Sequence, residues 1–196
     1  MRNRGADMNN QKENPGHGVA GESSVLLTQS HTTNSSTSLD DLLTASVDNY
    51  LRHGWKLCVV PPGSKGPATT GWNKPENAVT RAEQVPTHHG VGLLHAQSGS
   101  MALDIDDWGN AVTKLQEHGI DLNQLYQAPD AVIIDSGNPG HGKLLYRMPH
   151  GVILPTKKIT EGRTTLYELR CATTNGLSVQ DVLPPTIHPG TNQPYR

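Results

Sequence analysis

The sequence predicts an α+β fold with a mostly antiparallel central sheet flanked by helices. Three observations predict it: helical segments come early in the chain, a run of short strand-like segments follows, and turns containing Gly or Pro separate those strands. At 196 residues the chain is long enough for one domain with a real core. We therefore expect a single globular domain.

The first 37 residues differ in composition from the rest of the chain. They are rich in Gly, Asn, Ser and Thr and carry almost no apolar periodicity, so they cannot bury enough surface to offset the entropy of ordering. Much of the low hydrophobic content of 34% comes from this segment. We predict a disordered tail over residues 1–37 and a folded domain over residues 38–196.

Two segments have helical periodicity. Ser38 and Asp41 have the spacing of a helix N-cap and its reciprocal acid, and Gly54 is suited to follow the last turn. The apolar residues between them recur at helical spacing: Leu39, Leu42, Leu43, Val47, Tyr50 and Leu51. A second helix is predicted from about Asn110 to His118, where Gly119 stops it.

Eight segments rich in β-branched and apolar residues predict strands. They are residues 55–60, 90–94, 101–105, 131–134, 143–147, 152–154, 165–169 and 179–183. The stretch 61–67 is a Pro- and Gly-rich loop that cannot continue the first strand. Because residues 97–100 have the composition of a turn, the strands before and after them are predicted to form a hairpin.

Charge and cysteine content limit the function classes. The net charge of -2 means that contact with nucleic acid would need a local basic patch. Cys58 and Cys171 are too few for a thiolate zinc site, so we interpret both as core thiols. No apolar run approaches the roughly 20 residues that span a bilayer, and the N-terminus lacks a signal-peptide stretch. We expect a cytoplasmic protein with no membrane partner.

Asp104 and Asp106 are the first candidates for chemistry. They lie at the end of an apolar strand, where alternate side chains share a face and stand about 6 to 7 Å apart, while Asp107 points the other way. Hard cations such as Mg²⁺ or Mn²⁺ prefer carboxylate oxygens. The alternative is that these acids only begin a turn and cap the following helix.

A glycine-rich loop runs from Ser136 to Lys143. Its glycines allow main-chain N–H groups to approach an anion, and His141 and Lys143 can face the same ligand from the start of the next strand. The spacing is not that of a Walker A loop. The segment is either a triphosphate cradle or an ordinary hairpin loop.

Two later segments add candidates. Glu168 and Arg170 share one strand face, either as part of a site or as a structural ion pair. The segment 183–190, together with Tyr195, combines a stiff Pro-Pro turn with a hydroxyl and the His188 imidazole, which can meet a phosphate or a base. The alternative for this segment is a plain loop.

Taken in order, these segments resemble the primase-polymerase branch of the archaeo-eukaryotic primase superfamily, which is common in phages, prophages and plasmids. The resemblance covers roughly residues 50–195. Its motifs are Tyr50 through Gly54-Trp55, Val60-Pro-Pro-Gly-Ser-Lys65-Gly-Pro67, Gly71-Trp72, Gly90-Val-Gly-Leu93, Leu103-Asp-Ile-Asp106, Ser136-Gly137 through Leu145-Tyr146, Tyr167-Glu-Leu-Arg170, and Pro184-Pro-Thr-Ile-His-Pro189 with Tyr195.

The resemblance implies a two-lobed fold with the active site in its cleft, and template-directed nucleotidyl transfer by a DNA primase/polymerase in phage, prophage or plasmid replication. It implies that Asp104, Asp106 and Glu168 are catalytic and hold Mg²⁺ or Mn²⁺. The implied nucleotide-binding residues are Lys65, Ser136, Gly137, His141, Lys143, Arg170 and His188. The implied partners are a single-stranded DNA template, nucleoside triphosphates and a replicative helicase domain or protein.

Two departures from the family and two rival functions stay open. Many relatives have a His at the place of Lys143, whereas His141 lies two residues earlier, so either residue is a candidate to meet the triphosphate. Relatives generally continue past Tyr195, so we expect a domain that is truncated at its C-terminal end. The rivals are a non-catalytic nucleic-acid-binding replication module and a metal-dependent nuclease or phosphodiesterase, in which the same carboxylates activate water.

Overall fold

The structure is a computed structural model that describes residues 37–196, so the predicted tail lies outside the described residues except for residue 37. Four helices occur in the described part of the chain. They are α1 (Leu39–Arg52), α2 (His95–Ser98), α3 (Trp108–Gln116) and α4 (Leu122–Gln127).

Eight strands in the same residues form two antiparallel sheets. The strands are β1 (Leu57–Val60), β2 (Gly90–Leu94), β3 (Ser100–Ile105), β4 (Val132–Ile134), β5 (Gly142–Arg147), β6 (Lys157–Glu161), β7 (Thr164–Arg170) and β8 (Gln180–Val182). The small sheet has the order β1-β2-β8, and the large sheet has the order β4-β5-β3-β7-β6. Every named pair is antiparallel. The predicted α+β fold is confirmed.

Helix α1 begins and ends where the sequence predicts. The Ser38 hydroxyl accepts a hydrogen bond from the Asp41 N–H at 3.1 Å, and the Asp41 carboxylate accepts one from the Ser38 N–H at 3.3 Å. This reciprocal cap satisfies two N–H groups that have no partner inside the helix. Leu43 and Val47, one turn apart, are buried and pack the helix against the core shared with the small sheet.

The predicted hairpin between residues 90–94 and 101–105 is wrong. Strand β2 pairs with β1 and β8, whereas β3 pairs with β5 and β7 in the other sheet. The segment between β2 and β3 forms the short helix α2, and Gly99 after it adopts a left-handed conformation with φ of 61°. The chain therefore leaves one sheet and enters the other at this point, which local turn composition does not reveal.

The predicted strand over residues 152–154 is also wrong. These residues have no strand assignment, and Val152, Ile153 and Leu154 are all exposed. Pro149 and Pro155 flank them, and Pro lacks the N–H that a sheet ladder requires. The strand in this region is instead β6, whose sequence Lys-Lys-Ile-Thr-Glu has too few apolar residues to be recognised as a strand. Helix α4 was not predicted from the sequence either.

The buried apolar residues of the described chain form three clusters. One joins α1 and the small sheet to residues of β3, β4 and β5, a second lies between the large sheet, α3 and α4, and a small third consists of Cys58, Ala78 and Leu94. Cys58 and Cys171 are both buried and unbridged, which confirms them as core thiols, and burial raises the pKa of Cys58 to about 12. Among the residues that the structure describes, no helix has the length and apolarity to cross a membrane.

Candidate active site

A row of charged residues crosses the large sheet at one level. Asp104 on the central strand β3 pairs in register with Lys143 on β5 and with Glu168 on β7, and Glu168 pairs in turn with Lys158 on β6. Directly opposite residues on antiparallel strands project to the same face. The row therefore reads cation, acid, acid, cation, with the two carboxylates adjacent at its centre.

Asp106 and Asp107 follow β3 and diverge. Asp106 has a side chain that is 37% exposed, and its oxygen lies 4.0 Å from Nδ1 of His141. Asp107 is the N-cap of α3, and its carboxylate accepts hydrogen bonds from the Asn110 N–H at 3.2 Å and the Asn110 side-chain amide at 2.8 Å. Of these two acids, Asp107 is therefore the one that caps the following helix.

A pocket of about 310 Å³ opens above this row and takes residues from both sheets. Its lining includes every predicted site residue except Gly137: Lys65, Asp104, Asp106, Ser136, His141, Lys143, Glu168, Arg170 and His188. Gln180, Asp181 and Tyr195 also line it. The Gly137 N–H donates to the Asp135 carboxylate at 2.7 Å, so this amide forms a hydrogen bond within the loop.

Two cations of the pocket, Lys143 and Arg170, each contact more than one carboxylate. Lys143 Nζ lies 2.5 Å from one oxygen of Asp181 and 3.3 Å from Asp104. Arg170 Nε lies 2.9 Å from the same Asp181 oxygen and 3.8 Å from Asp104. The Arg170 guanidinium also donates to Glu168 and to the Gln180 carbonyl, both at 2.8 Å.

Sequence reasoning missed Asp181, which is 3% exposed and lies on β8 of the small sheet. Its second oxygen lies 2.8 Å from Nε2 of the fully buried His95. A signal was present, because alternation in the predicted strand 179–183 puts Asp181 on the same face as Val179 and Leu183, and a buried acid rarely lacks a partner. The identity of the partners was not predictable, since they come from distant parts of the chain.

The pKa values of Asp104 and Asp106 lie above the ordinary range. For Asp106, burial is the main cause and the nearby Glu168 carboxylate adds to it, while His141 opposes the shift. For Asp104, burial raises the pKa most, Asp181 and Asp106 add to it, and Lys143 and Arg170 oppose it. Both groups therefore lie where additional positive charge would stabilise their ionised forms.

Glu168 and Asp181 have pKa values below the ordinary range. Burial alone would raise both, but Lys158 and Arg170 outweigh it at Glu168 through direct hydrogen bonds. At Asp181, Lys143, the His95 hydrogen bond and Arg170 outweigh burial. Burial opposes the charged forms of Lys143 and Arg170, but Asp181 and Asp104 outweigh it at both residues and Glu168 adds to the effect at Arg170, so their pKa values are raised and both cations are charged at neutral pH.

The small sheet and the C-terminal segment complete the pocket. Gln180 donates its side-chain amide to the Lys65 carbonyl at 2.9 Å, which ties the 61–67 loop to β8. A Cβ at Gly92 would lie 2.2 Å from the Gln180 side-chain oxygen, so the glycine leaves room for this contact. His188 Nδ1 accepts from the N–H groups of Gly190 and Thr191 at 3.1 and 3.0 Å, so in the neutral ring Nε2 carries the proton.

The donor set of the pocket fits a hard divalent cation in its chemistry, because carboxylate oxygens are the ligands that Mg²⁺ and Mn²⁺ prefer. Repulsion from Glu168 contributes to the raised pKa of Asp106, and a divalent cation would relieve it. Within residues 37–196, however, no three acidic, His or Cys side chains stand together closely enough to hold a metal ion. Asp104 and Glu168 are instead engaged with Lys143, Arg170 and Lys158.

The fold and the pocket together define an α+β domain with a mixed acidic and basic site built across two antiparallel sheets. The family model described as "Bifunctional DNA primase/polymerase, N-terminal" matches residues 48–196, and the chain belongs to this family. The match begins within α1 and includes both sheets and every residue of the pocket. Members are in general nucleotidyltransferases of the DNA primase/polymerase type. No curated protein matched the chain.

Proposed function

We propose that this chain catalyses template-directed nucleotidyl transfer, with Asp104, Asp106 and Glu168 as the metal-holding carboxylates. One observation carries the proposal: the register of β3 and β7 sets Asp104 opposite Glu168, in the same pocket as Asp106, Lys143 and Arg170. Acids and cations in one pocket suit a ligand that is itself a complex of divalent ions and phosphates.

The acids and the cations have separate roles in this proposal. When bound, Mg²⁺ or Mn²⁺ supplies activation of the attacking 3′-hydroxyl and neutralisation of charge on the leaving pyrophosphate. Lys143 and Arg170 bind the triphosphate and orient it for in-line attack on the α-phosphate, since both are charged and face the pocket. Lys65, Ser136, His141 and His188 line the same pocket and provide further polar contacts to the nucleotide.

The geometry favours Lys143 over His141 as the principal triphosphate contact of the second motif. Lys143 has a side chain that is 15% exposed and lies beside Asp104, whereas His141 is 43% exposed and its nearest acid is Asp106 at 4.0 Å. A cation that is largely removed from water interacts more strongly with a phosphate than an exposed one. Gly137 takes no part in this proposal, because its N–H is engaged by Asp135.

The proposed partners follow from the reaction and from the family. They are a single-stranded DNA template and nucleoside triphosphates, with a replicative helicase domain or protein as a further partner. The proposed setting is the replication of a phage, prophage or plasmid in the cytoplasm. The net charge of -2 means that template binding would depend on a local basic surface and weaken steeply with salt.

The test is primer synthesis and primer extension on single-stranded DNA with Mg²⁺ or Mn²⁺, using the wild type and an Asp104→Ala/Asp106→Ala double variant. We expect the double variant to lose at least about a thousandfold in rate, because metal-assisted charge stabilisation contributes several kcal/mol to such reactions. Full activity in the double variant would contradict the assignment.

Two control reactions separate the rival functions. Incubation of labelled DNA without nucleotides detects a nuclease, in which the same carboxylates would activate water. Calorimetric titration with a nucleoside triphosphate, with and without Mg²⁺, detects a non-catalytic nucleic-acid-binding module, which should lack metal-dependent nucleotide binding. Nucleotide-independent cleavage favours the first rival, and DNA binding without nucleotide binding favours the second.

A further inference from the structure

We propose that Asp181 is a positioning residue: a buried carboxylate, fixed by His95, that holds Lys143 and Arg170 in place for the triphosphate of the incoming nucleotide. The inference rests on the proposed function and extends it to two residues that the sequence did not indicate. Asp181 comes from the small sheet, whereas the two cations come from the large sheet.

The two oxygens of Asp181 have different partners. One oxygen lies 2.5 Å from Lys143 Nζ and 2.9 Å from Arg170 Nε, and the other lies 2.8 Å from His95 Nε2. The Asp181 side chain is 3% exposed, so water does not replace any of these contacts. A single carboxylate therefore contacts both Lys143 and Arg170: it accepts a hydrogen bond from Lys143 and forms an ion pair without hydrogen-bond geometry with Arg170 Nε.

His95 fixes Asp181 without touching the pocket. Its ring is fully buried, and its Nδ1 lies 2.9 Å from the Ser100 hydroxyl while its Nε2 contacts Asp181. An ionised carboxylate can only accept, so Nε2 carries a proton that is donated to Asp181. The ring is held at both nitrogens, which leaves the carboxylate little freedom to rotate. His95 is absent from the residues that line the pocket.

Asp181 matters because Lys143 and Arg170 also contact Asp104, at 3.3 and 3.8 Å. Asp104 is a proposed metal ligand, so with a metal bound its carboxylate would be shared between the ion and these two cations. Asp181 is not a proposed metal ligand, and its other oxygen is held by His95, so its first oxygen remains available to both cations. Without Asp181 the two cations would keep Asp104 as their shared acid and would compete with the metal for it.

The direction in which Asp181→Asn changes the affinity for the nucleotide distinguishes a positioning role from a purely electrostatic one. If Asp181 were only a negative charge near the phosphates, its removal would reduce repulsion and tighten the binding of an anion. If Asp181 positions the cations, its removal weakens that binding. Asn has nearly the same shape as Asp, so the substitution changes the charge and the hydrogen bonding with little change in packing.

The experiment measures kcat and KM for the nucleotide in primer extension, and the calorimetric affinity for the same nucleotide with Mg²⁺. For Asp181→Asn we expect KM to rise and affinity to fall by about tenfold or more, which is typical when one partner of a buried charge pair is truncated, with kcat changed less than about threefold. An unchanged or lower KM together with unchanged or tighter binding would overturn the inference.

Two matched variants of His95 provide a second test. This test can still be made if Asp181→Asn does not fold. His95→Leu removes the hydrogen bond to Asp181, whereas His95→Gln keeps an N–H donor of similar reach. We expect the Leu variant to raise KM and the Gln variant to restore it at least in part. A fall in kcat alone, in proportion to the folded fraction, would indicate a merely structural role and refute the inference.

The two proposals fail in distinguishable ways. If the wild type neither extends primers nor binds nucleotide, the proposed function fails and the inference fails with it. If the wild type is active and loses activity in the Asp104→Ala/Asp106→Ala variant, but Asp181→Asn and His95→Leu leave KM unchanged, the proposed function stands and the positioning role of Asp181 is rejected.

Discussion

The two sides of the pocket hold carboxylates in opposite electrostatic states. On the β3 side, Asp106 is partly exposed and its pKa is raised by burial and by repulsion from Glu168. On the β8 side, Asp181 is almost completely buried, yet its pKa is lowered because Lys143, His95 and Arg170 outweigh the effect of burial. The difference in pKa between the two acids therefore comes from the cations and hydrogen-bond donors around each carboxylate and not from how deeply each is buried. Asp106, which has too little positive charge around it, is one of the three acids at which we propose a metal ion.

The largest effect on stability is expected at Asp181. Replacing Asp181 by Asn leaves Lys143 and Arg170 partly buried without their main counter-charge, and we expect the free energy of unfolding to fall by about 3 to 5 kcal/mol. Denaturant unfolding at pH 7 measures this fall in the free energy of unfolding. Asp48→Asn, at an exposed position of α1, is the control and should change stability by less than about 0.5 kcal/mol.

The difference in the free energy of unfolding between the wild type and Asp181→Asn should depend on pH, and the lowered pKa of Asp181 determines the direction. Because the folded-state pKa of Asp181 is lowered, its stabilising contribution is fully present above its unfolded pKa of about 3.9 and is lost as the pH falls through the lower folded value. The difference in stability between the wild type and Asp181→Asn should therefore begin to shrink below about pH 4 and keep shrinking as the pH falls towards the lower folded-state pKa. A difference that stays constant from pH 7 to pH 3, or no difference at pH 7, would contradict this electrostatic account.

A smaller effect is expected at Asp107, which caps α3. Replacing Asp107 by Ala removes the acceptor for the Asn110 N–H, so we expect a lower free energy of unfolding, as is typical when an N-cap is removed. Thermal or denaturant unfolding measures the loss. Asp107→Asn is the matched control and should retain most of the stability, because Asn is also a good N-cap. Equal losses in the two variants would argue against the capping role.

The smallest effect is expected at Asp106, and it has the opposite sign. Because the folded-state pKa of Asp106 is raised, its ionised form is unfavourable at neutral pH, and this penalty disappears below the unfolded pKa. In buffer with a chelator, Asp106→Asn should therefore raise the free energy of unfolding by a few tenths of a kcal/mol, a small gain because the side chain is 37% exposed. Destabilisation by Asp106→Asn at pH 7 would show that this acid is already neutralised in the folded protein.

Local sequence patterns predicted much of the fold and of one side of the pocket. The cap at Ser38 and Asp41 placed the start of α1, since capping depends on residues three apart in the chain. Strand alternation predicted that Asp104 and Asp106 share a face, and the structure brings both into one pocket. The order of the motifs identified the family.

Long-range pairing was not predictable from those patterns. The apparent hairpin between β2 and β3 failed because each strand found its partners far away in the chain. The same limitation concealed Asp181, whose contacts come from His95, Lys143 and Arg170 on three other elements. A buried charge requires partners, but only the sheet order identifies which residues they are.

The most direct test of the proposed site compares two adjacent acids. Asp106→Asn and Asp107→Asn remove one charge each, at neighbouring positions, with the same change of shape. Primer extension rates on single-stranded DNA with Mg²⁺ or Mn²⁺ should fall by about a hundredfold or more for Asp106→Asn and stay within about threefold of the wild type for Asp107→Asn. Equal rates in the two variants, or a greater loss at Asp107, would contradict the assignment of Asp106 to the metal site.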